Sequence, residues 1–414
     1  MTASATAPEA RSLSADAQLI GLVGLAHAIS HFSQLVLPPL FPWIKDAFAL
    51  SYTELGAVLT VFFVVSCIVQ AASGFLVDKM GPRPVLFVGL GLLALSGFVY
   101  AMAQAYWMLF GAAVLAGIGN GVFHPVDYTL FNRKVAPTRL GHAYSVHGIT
   151  GSLGWALAPA FVVPLAIAFS WRVALAGAGA VALVVLLVLW ANRRVLHLDV
   201  KEVHKATGQG AQHAGGEFDF LRIPAVWMCF GFFFLYAVVI SVVQTFAPSA
   251  AAHLHSVPVA LVAACLTTYM VASAGGMLVG GFLVTDPSRC ERIVAIGFGL
   301  AATLALVLAL ADFQPIMVPV LFGAMGFVSG IAGPSRDLLV KKSTPPNATG
   351  RVYGVVYAGL DIGQAVAPLV FGRLMDAGQY TSVIVGLALV QGVLIASAFN
   401  VRRVRRTALV PASA

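Results

Sequence analysis

Gly74-Phe-Leu-Val-Asp78-Lys79-Met-Gly81-Pro82-Arg83-Pro84 closes one long apolar run. A fainter copy, Gly281-Phe-Leu-Val-Thr-Asp286-Pro-Ser-Arg289, closes another 207 residues later in a chain of 414. Each is a short charged turn, punctuated by Gly or Pro, between stretches that carry almost no charge. A chain that repeats itself at half its length, with charge confined to the joints, reads as a membrane protein of two related halves. Secondary transporters are commonly built this way.

Composition agrees. The chain is 59 % apolar and only 10 % charged, with a mean hydropathy of +0.91. A soluble domain carries about 25 % charged residues, so lipid is the solvent for most of this surface. The 41 Gly and 21 Pro fit close helix packing in a bilayer. The net charge of +8 does not indicate nucleic acid, because the basic residues sit between apolar runs instead of clustering with aromatics. Cys67, Cys229, Cys265 and Cys290 are far apart and show no CxxC or Cys/His spacing, so neither a disulfide framework nor a zinc site is expected. No Walker loop, Gly-x-Ser-x-Gly elbow or HExxH motif occurs. No catalytic residue, cofactor or metal is therefore expected.

A spanning helix needs about 20 apolar residues, and twelve candidates are found. They cover 19–43, 52–77, 85–104, 107–131, 141–168 and 172–192, then 224–249, 257–284, 292–311, 315–339, 351–374 and 380–400. The fold expected is all-α, with twelve transmembrane helices in two pseudo-symmetric six-helix bundles. Residues 1–17 read as a disordered cytoplasmic tail, 18–192 as the first bundle, 193–222 as a cytoplasmic linker, 223–401 as the second bundle and 402–414 as a final tail. Of the 24 Lys and Arg, 20 fall on the side of the termini and 3 (Lys45, Arg172 and Arg373) on the other, with Arg336 inside a span. The positive-inside rule then puts both termini in the cytoplasm of a bacterial inner membrane.

The second half repeats the first around the fourth and fifth spans. At an offset of 209, Gly117 matches Gly326, Gly121 matches Gly330, Pro125 matches Pro334, and Ala158-Pro159 matches Ala367-Pro368; in all, 12 of 43 positions from 117 to 159 are identical. Shared apolar composition accounts for only a fraction of that, so the halves read as a duplication.

Gly74-x-x-x-Asp78-x-x-Gly81-x-Arg83 resembles the GxxxDxxGRR loop between the second and third helices of the major facilitator superfamily, with Pro82 where that family often has Arg. The resemblance implies a conformational latch for the outward-facing state, formed by Gly74, Asp78, Gly81 and Arg83 with Asp127, Asp286, Arg336 and Asp337. It also implies a central cavity lined by spans one, four, seven and ten, reached from either side by rocking of the halves. Ser30-His31-Phe32 and Gly121-Val-Phe-His124-Pro125 are similar to the first- and fourth-helix motifs of the fosmidomycin-resistance branch, whose members are implied to export small anionic or amphipathic compounds in exchange for protons. This chain has Gln34 where an acidic residue is usual, and Asp127-Tyr128 where the branch more often has Glu. The fifth span, Gly148-x-x-Gly151-x-x-Gly154-x-x-x-Ala158-Pro159, is similar in part to the Gly-rich fifth helix of antiporters; small residues there also serve plain helix packing.

Ionisable groups inside spans are costly and informative. His27 and His31 lie one turn apart on one face of the first span. His31 and Asp361 both fall near mid-membrane and are the expected proton-exchanging pair. His27, Gln34, His124, Tyr128, His147, Gln244 and Gln364 are the expected substrate contacts. Three roles compete for these groups: proton coupling, direct binding of a substrate or metal chelate, and structural pairing, with Asp127 expected to pair with Arg83. His197, His204 and His213 read as solvated, and Arg402-Arg403-Val-Arg405-Arg406 as an anchor near anionic lipid.

The expected function is proton-coupled export of a small amphipathic or anionic compound by alternating access, with proton-coupled uptake of an organic acid or metal chelate as the alternative. A non-transporting sensor predicts a large soluble signalling appendage or an interrupted cavity motif, and neither is expected here. The partners expected are a small-molecule substrate, protons and the lipid bilayer, without nucleic acid, for a chain acting as a monomer.

Overall fold

The computed structural model describes residues 12–198, 224–283, 289–336 and 349–409. Among these residues every element is helical. The first half holds α1 (Leu13–Gln34), α2 (Phe41–Phe48), α3 (Tyr52–Met80), α4 (Pro82–Ala101), α5 (Tyr106–Asn120), α6 (Phe123–Lys134), α7 (Leu140–Ala168) and α8 (Trp171–Ala191). The second holds α9 (Pro224–Thr245), α10 (Ala247–His255), α11 (Val259–Leu283), α12 (Cys290–Leu310), α13 (Met317–Ile331), α14 (Thr349–Asp376) and α15 (Tyr380–Leu409). Among the described residues, eleven helical stretches are long and apolar enough to cross a membrane. The twelfth crossing is α14, 28 residues long and packed beside α3 and α9.

Local chemistry sets the helix ends. A capping box opens α3: Glu54 N–H donates to Ser51 Oγ at 3.1 Å, and Ser51 N–H donates to Glu54 Oε2 at 2.8 Å. Such a cap contributes about 1 kcal/mol. Gly81 closes α3 at φ +83°, a left-handed conformation in which glycine carries no Cβ penalty, and the chain turns directly into α4.

Three expected boundaries change. Residues 13–17 belong to α1, not to a tail: Ser12 caps the helix, and buried Asp16 accepts from Arg139 Nη2 at 2.6 Å and Nε at 2.7 Å. The first crossing, Leu13–Phe48, is not one helix: α1 ends at Gln34, because Pro38 and Pro39 have no N–H to carry it on, and a 3₁₀ turn over Pro38–Leu40 leads into α2. The fourth span divides into α5 and α6 at Gly121-Val122. Pro125 has no N–H to offer the Gly121 carbonyl, which lies instead 3.2 Å from the Ser73 hydroxyl of α3. In the linker, Leu196 and Leu198 are buried and Lys134 Nζ donates to His197 O at 2.7 Å, so the first linker residues dock on α6.

The duplication is visible in backbone contacts. A Cβ on Gly117 would lie 2.7 Å from Phe62 O, and one on Gly121 2.6 Å from Ser66 O, so α5 approaches α3 as only glycine allows. Gly326 and Gly330 make the same approach to Tyr269 O and Ser273 O, joining α13 to α11. Phe62 and Ser66 precede Tyr269 and Ser273 by 207 residues, the offset of the charged turns.

The halves meet along two seams, α3 against α14 and α7 against α11. On the side opposite the termini the first seam is tight. Asp376 accepts from Tyr52 N–H at 2.6 Å and from Thr53 N–H at 2.9 Å, Thr60 Oγ1 donates to Ala365 O at 2.6 Å, and a Cβ on Gly56 would sit 2.7 Å from Pro368 O. Toward the side of the termini the contacts run out among the described residues. A Cβ on Gly74, or on its repeat mate Gly281, would meet nothing within 4 Å. Phe75 and its mate Phe282 are 78 % and 82 % exposed. In their described residues the bundles are thus closed at one end and splayed at the other.

Candidate functional site

Three helices of the first half converge on a buried imidazole cluster. α1 contributes His27 and His31, a turn apart. α6 contributes His124, Asp127 and Tyr128, which lie at i, i+3 and i+4 and so share a face. α7 contributes His147. Gly151 of α7 sets the spacing: a Cβ there would lie 2.8 Å from His31 Cε1 and Nδ1 and 3.0 Å from His27 Nε2. The His27 ring stacks on His147 at 3.5 Å between centroids, and the His31 ring lies 4.3 Å from that of His27. His31 stacks on Trp155 at 4.2 Å, and His124 on Tyr128 at 6.1 Å.

Asp127 anchors the cluster. It is fully buried, and its Oδ2 lies 3.0 Å from His147 Nε2 and 3.3 Å from His27 Nδ1. The first contact is aligned as a hydrogen bond; the second is at ion-pair distance without that alignment, so His27 Nδ1 and Asp127 Oδ1 have no hydrogen-bond partner. The pairing expected with Arg83 is not made. Arg83 stands on the first turn of α4, whereas the helical spacing of α6 directs Asp127 into the bundle with His124. A carboxylate in so dry a place is costly without a compensating cation; here the only partners at ion-pair distance among the described residues are imidazoles.

A second network holds the floor of the site. Asn120 Oδ1 accepts from Ser30 Oγ at 2.7 Å and from Gln34 Nε2 at 3.1 Å, and its Nδ2 donates to Ser66 Oγ at 2.8 Å. Trp155 Nε1 donates to Gln34 Oε1 at 3.0 Å. These bonds tie α1, α3, α5 and α7 together below the imidazoles.

The cluster reaches the second half through Gln70 of α3. Its Nε2 donates to Asp361 Oδ2 at 3.2 Å, and its Oε1 lies 3.0 Å from His124 Nδ1. An amide oxygen only accepts, so this pairing puts the proton of His124 on Nδ1 and makes Nε2 the basic nitrogen. The two expected proton-exchanging residues, His31 and Asp361, thus lie at opposite ends of one polar array.

Of the expected substrate contacts, His27, Gln34, His124, Tyr128 and His147 are brought together. Gln244 lies elsewhere, lining a cavity of about 470 Å³ at the closed end with Pro38, Tyr52, His253 and Tyr380. Gln364 is buried in α14, with no hydrogen bond to the cluster among the described residues. Of the latch residues, Gly81 makes the turn, while Asp78 and Arg83 form no hydrogen bond or ion pair with another described residue. The Arg336 guanidinium lies 4.2 Å from the ring centroid of Tyr236 and 5.6 Å from that of Phe233. Asp286 and Asp337 lie outside the described residues. Sequence reasoning missed Gln70, Asn120, Ser66 and Trp155, and took Ser30 only as part of the first-helix motif. The signal for the two amides was there, as lone polar groups within long apolar runs.

The family model of the Major Facilitator Superfamily matches residues 23–368, with a second match over 234–413. The chain belongs to the Major Facilitator Superfamily. It is therefore a multi-pass membrane protein of a family of secondary transporters, which are not enzymes. Among curated relatives, the fosmidomycin resistance protein of Escherichia coli (strain K12) is 28 % identical over 142 residues, 34 % of this chain and 34 % of that protein. An uncharacterized transporter of the same superfamily from Bacillus subtilis (strain 168) is 30 % identical over 139 residues, 33 % of this chain and 34 % of that one. Both alignments span about a third of the relative's length. A probable sulfoacetate transporter of Cupriavidus necator is 23 % identical over 379 residues, 87 % of this chain and 88 % of the relative. Among solved structures, a bacterial homolog of the human lysosomal transporter Spinster, inward-facing and occupied, superposes with a TM-score of 0.76 at 14 % identity, covering 95 % of this chain and 98 % of that one. That likeness shows the fold.

Proposed function

We propose that this major facilitator protein exports a small anionic or amphipathic compound in exchange for protons, and that the imidazole cluster carries the coupling proton. The observation behind the reading is Asp127: a fully buried carboxylate whose ion-pair partners are two imidazoles. One proton shared among these groups would neutralise the carboxylate, and imidazole is the side chain whose unperturbed charge change lies nearest neutral pH. His31 and Asp361 are the proposed exchanging groups, linked through His124 and Gln70. His27, Gln34, His124, Tyr128 and His147 present rings and polar edges suited to such a substrate. Export draws support from the first- and fourth-helix motifs shared with the fosmidomycin-resistance branch.

The positive-inside count supports a reading in which both termini, and with them the splayed end, lie in the cytoplasm of a bacterial inner membrane. The structure is then open inward. Gly74, Asp78 and Arg83 belong to the latch that engages when the molecule turns outward, with Asp286, Arg336 and Asp337 as proposed counterparts.

The test is a sealed proteoliposome loaded with a panel of organic anions and amphipathic drugs, with internal pH recorded as a substrate gradient is imposed. Proton movement against the substrate is expected. Transport by the His31→Ala, Asp361→Asn double variant should lose its pH dependence; a pH response equal to wild type overturns the assignment. A second reading, uptake of an organic acid together with protons, draws support from the probable sulfoacetate transporter, the relative aligned over most of its length. Proton movement with the substrate would establish it.

A further inference from the structure

We propose that the imidazole cluster is also a binding site for one divalent transition-metal cation of the borderline class, such as Zn²⁺, Ni²⁺ or Co²⁺, held by His27, His147 and Asp127. The proposal rests on geometry no single helix shows. Ligand atoms of His27, Asp127 and His147 all lie within 4.8 Å of one another, and His27, His31 and His124 form a second such group sharing His27. Imidazole nitrogens and a carboxylate oxygen are the donor set that this class of metal prefers.

Unsatisfied atoms point the same way. Among the described residues, His27 Nδ1 and Asp127 Oδ1 are buried without an aligned hydrogen-bond partner, and His27 is 2 % and Asp127 0 % exposed. Buried polar groups are normally satisfied, and a cation between these atoms would satisfy the carboxylate and two rings at once. Ligand bonds of about 2.0–2.2 Å at tetrahedral angles put neighbouring ligand atoms roughly 3.3–3.6 Å apart, and Asp127 Oδ2 already lies 3.0 Å from His147 Nε2 and 3.3 Å from His27 Nδ1. His31 and His124, both half-buried, stand beside the three and offer replacement ligands along the way in. Gln70 holds His124 by Nδ1 and fixes the orientation of its ring.

Binding the metal requires deprotonated imidazoles, so it must displace any proton held there. If the cluster is the coupling site, the same metal will block proton-coupled transport; that consequence rests on the proposed function, whereas the metal site does not.

The experiment uses the full chain, purified in detergent with its affinity tag removed, and equilibrium dialysis against ZnCl₂ and CoCl₂. Binding of one metal per chain is expected, with release of protons into weakly buffered solution and, for Co²⁺, the intense visible bands of a low-symmetry nitrogen–oxygen site. His27→Gln and Asp127→Asn should each weaken binding at least tenfold, while the combined His204→Gln, His213→Gln linker variant should leave it unchanged. Absence of stoichiometric metal and of proton release in the wild-type chain overturns the proposal, and this readout needs no variant to fold. Stoichiometric binding that survives in the two cluster variants but is lost in the linker variant also overturns it. Proton-coupled transport by a chain that binds no metal would leave the proposed function standing and sink this site alone.

Discussion

The Gln70 side chain joins His124 to Asp361, accepting from one at 3.0 Å and donating to the other at 3.2 Å. One amide thereby ties the imidazole cluster of the first half to the carboxylate of the second. The bond to Asp361 lies on the α3–α14 seam, just where the halves begin to separate. It exists only while they hold this relation, so occupancy of the cluster and the position of the second half are connected.

Replacing Gln70 by Ala removes both bonds without touching either titratable partner. A hydrogen bond to a charged group is worth about 1.5–3 kcal/mol, so substrate exchange should change by roughly tenfold or more. Proton movement per substrate should fall with it. The measurement is paired substrate and pH recording in proteoliposomes; a Gln70→Ala rate and coupling ratio equal to wild type would show that the bridge carries nothing.

Asp127→Asn keeps the shape of the side chain and removes its charge. The two imidazoles then face an amide and no longer require a shared cation. Substrate exchange between equal pH values should persist, while accumulation driven by a pH gradient should disappear. Loss of both activities together, in protein that elutes normally on size exclusion, would assign Asp127 to substrate binding instead.

Much of this architecture was legible in the sequence, and the divisions follow physical lines. Hydropathy and the half-length repeat gave the twelve crossings, and the glycines matched at an offset of 209 are the ones whose backbones touch Phe62, Ser66, Tyr269 and Ser273. Spacing put His27 and His31 on one face. That His124, Asp127 and His147 would meet them was not legible, because convergence of α1, α6 and α7 is a tertiary fact. The pairing of Asp127 with Arg83 failed for the same reason: a residue near a helix end can turn inward, and the sequence does not say which way. Hydropathy windows also run through Pro38 and Pro125, where the backbone breaks. Gln244 looked equivalent to Gln34 as a lone amide in an apolar run, yet it lines the cavity at the closed end.

Asp376 closes the far end by capping a helix that belongs to the other half. Its carboxylate accepts from Tyr52 N–H, Thr53 N–H and Thr53 Oγ1 at 2.6–2.9 Å, where the α3 dipole favours an anion. Removing an N-cap costs about 1–2 kcal/mol, a shift of roughly 5- to 30-fold in a two-state population. Asp376→Ala should therefore open this end more often. A cysteine placed at Tyr380, which lines the cavity there, should react faster with a membrane-impermeant maleimide; an unchanged rate would count against the closure role.

Gly151→Val tests the spacing of the cluster. The first carbon of the new side chain alone would lie within 3.0 Å of both His31 and His27, and overpacking of this kind costs about 1–3 kcal/mol. The thermal midpoint should fall, and pH-gradient-driven transport should fall further than equal-pH exchange, because the rings move before the helices do. Equal loss of the two would mean that the substitution acts on the fold and not on the cluster.

Gly74 and Gly56 test alternation itself. They lie 18 residues apart on α3, five turns at about 3.6 residues per turn, and so occupy the same face. Gly56 is pressed against Pro368 of the second half, whereas Gly74 faces open space. If the halves rock, the two ends of this face take turns: Gly74 becomes the close contact when Gly56 is released. Its repeat mate Gly281 on α11 is open in the same way. Leu at Gly74 or Gly281 should therefore leave this conformation and its stability unchanged, yet hinder closure of the splayed end. The thermal midpoint and substrate binding should match wild type while transport drops by at least tenfold, and the cysteine at Tyr380 should become protected. Gly56→Leu should do the reverse, breaking the closed end and exposing that cysteine. Normal transport by both Gly74→Leu and Gly281→Leu would mean that the splayed ends never meet, and rocking about the two seams could not then be the transport motion.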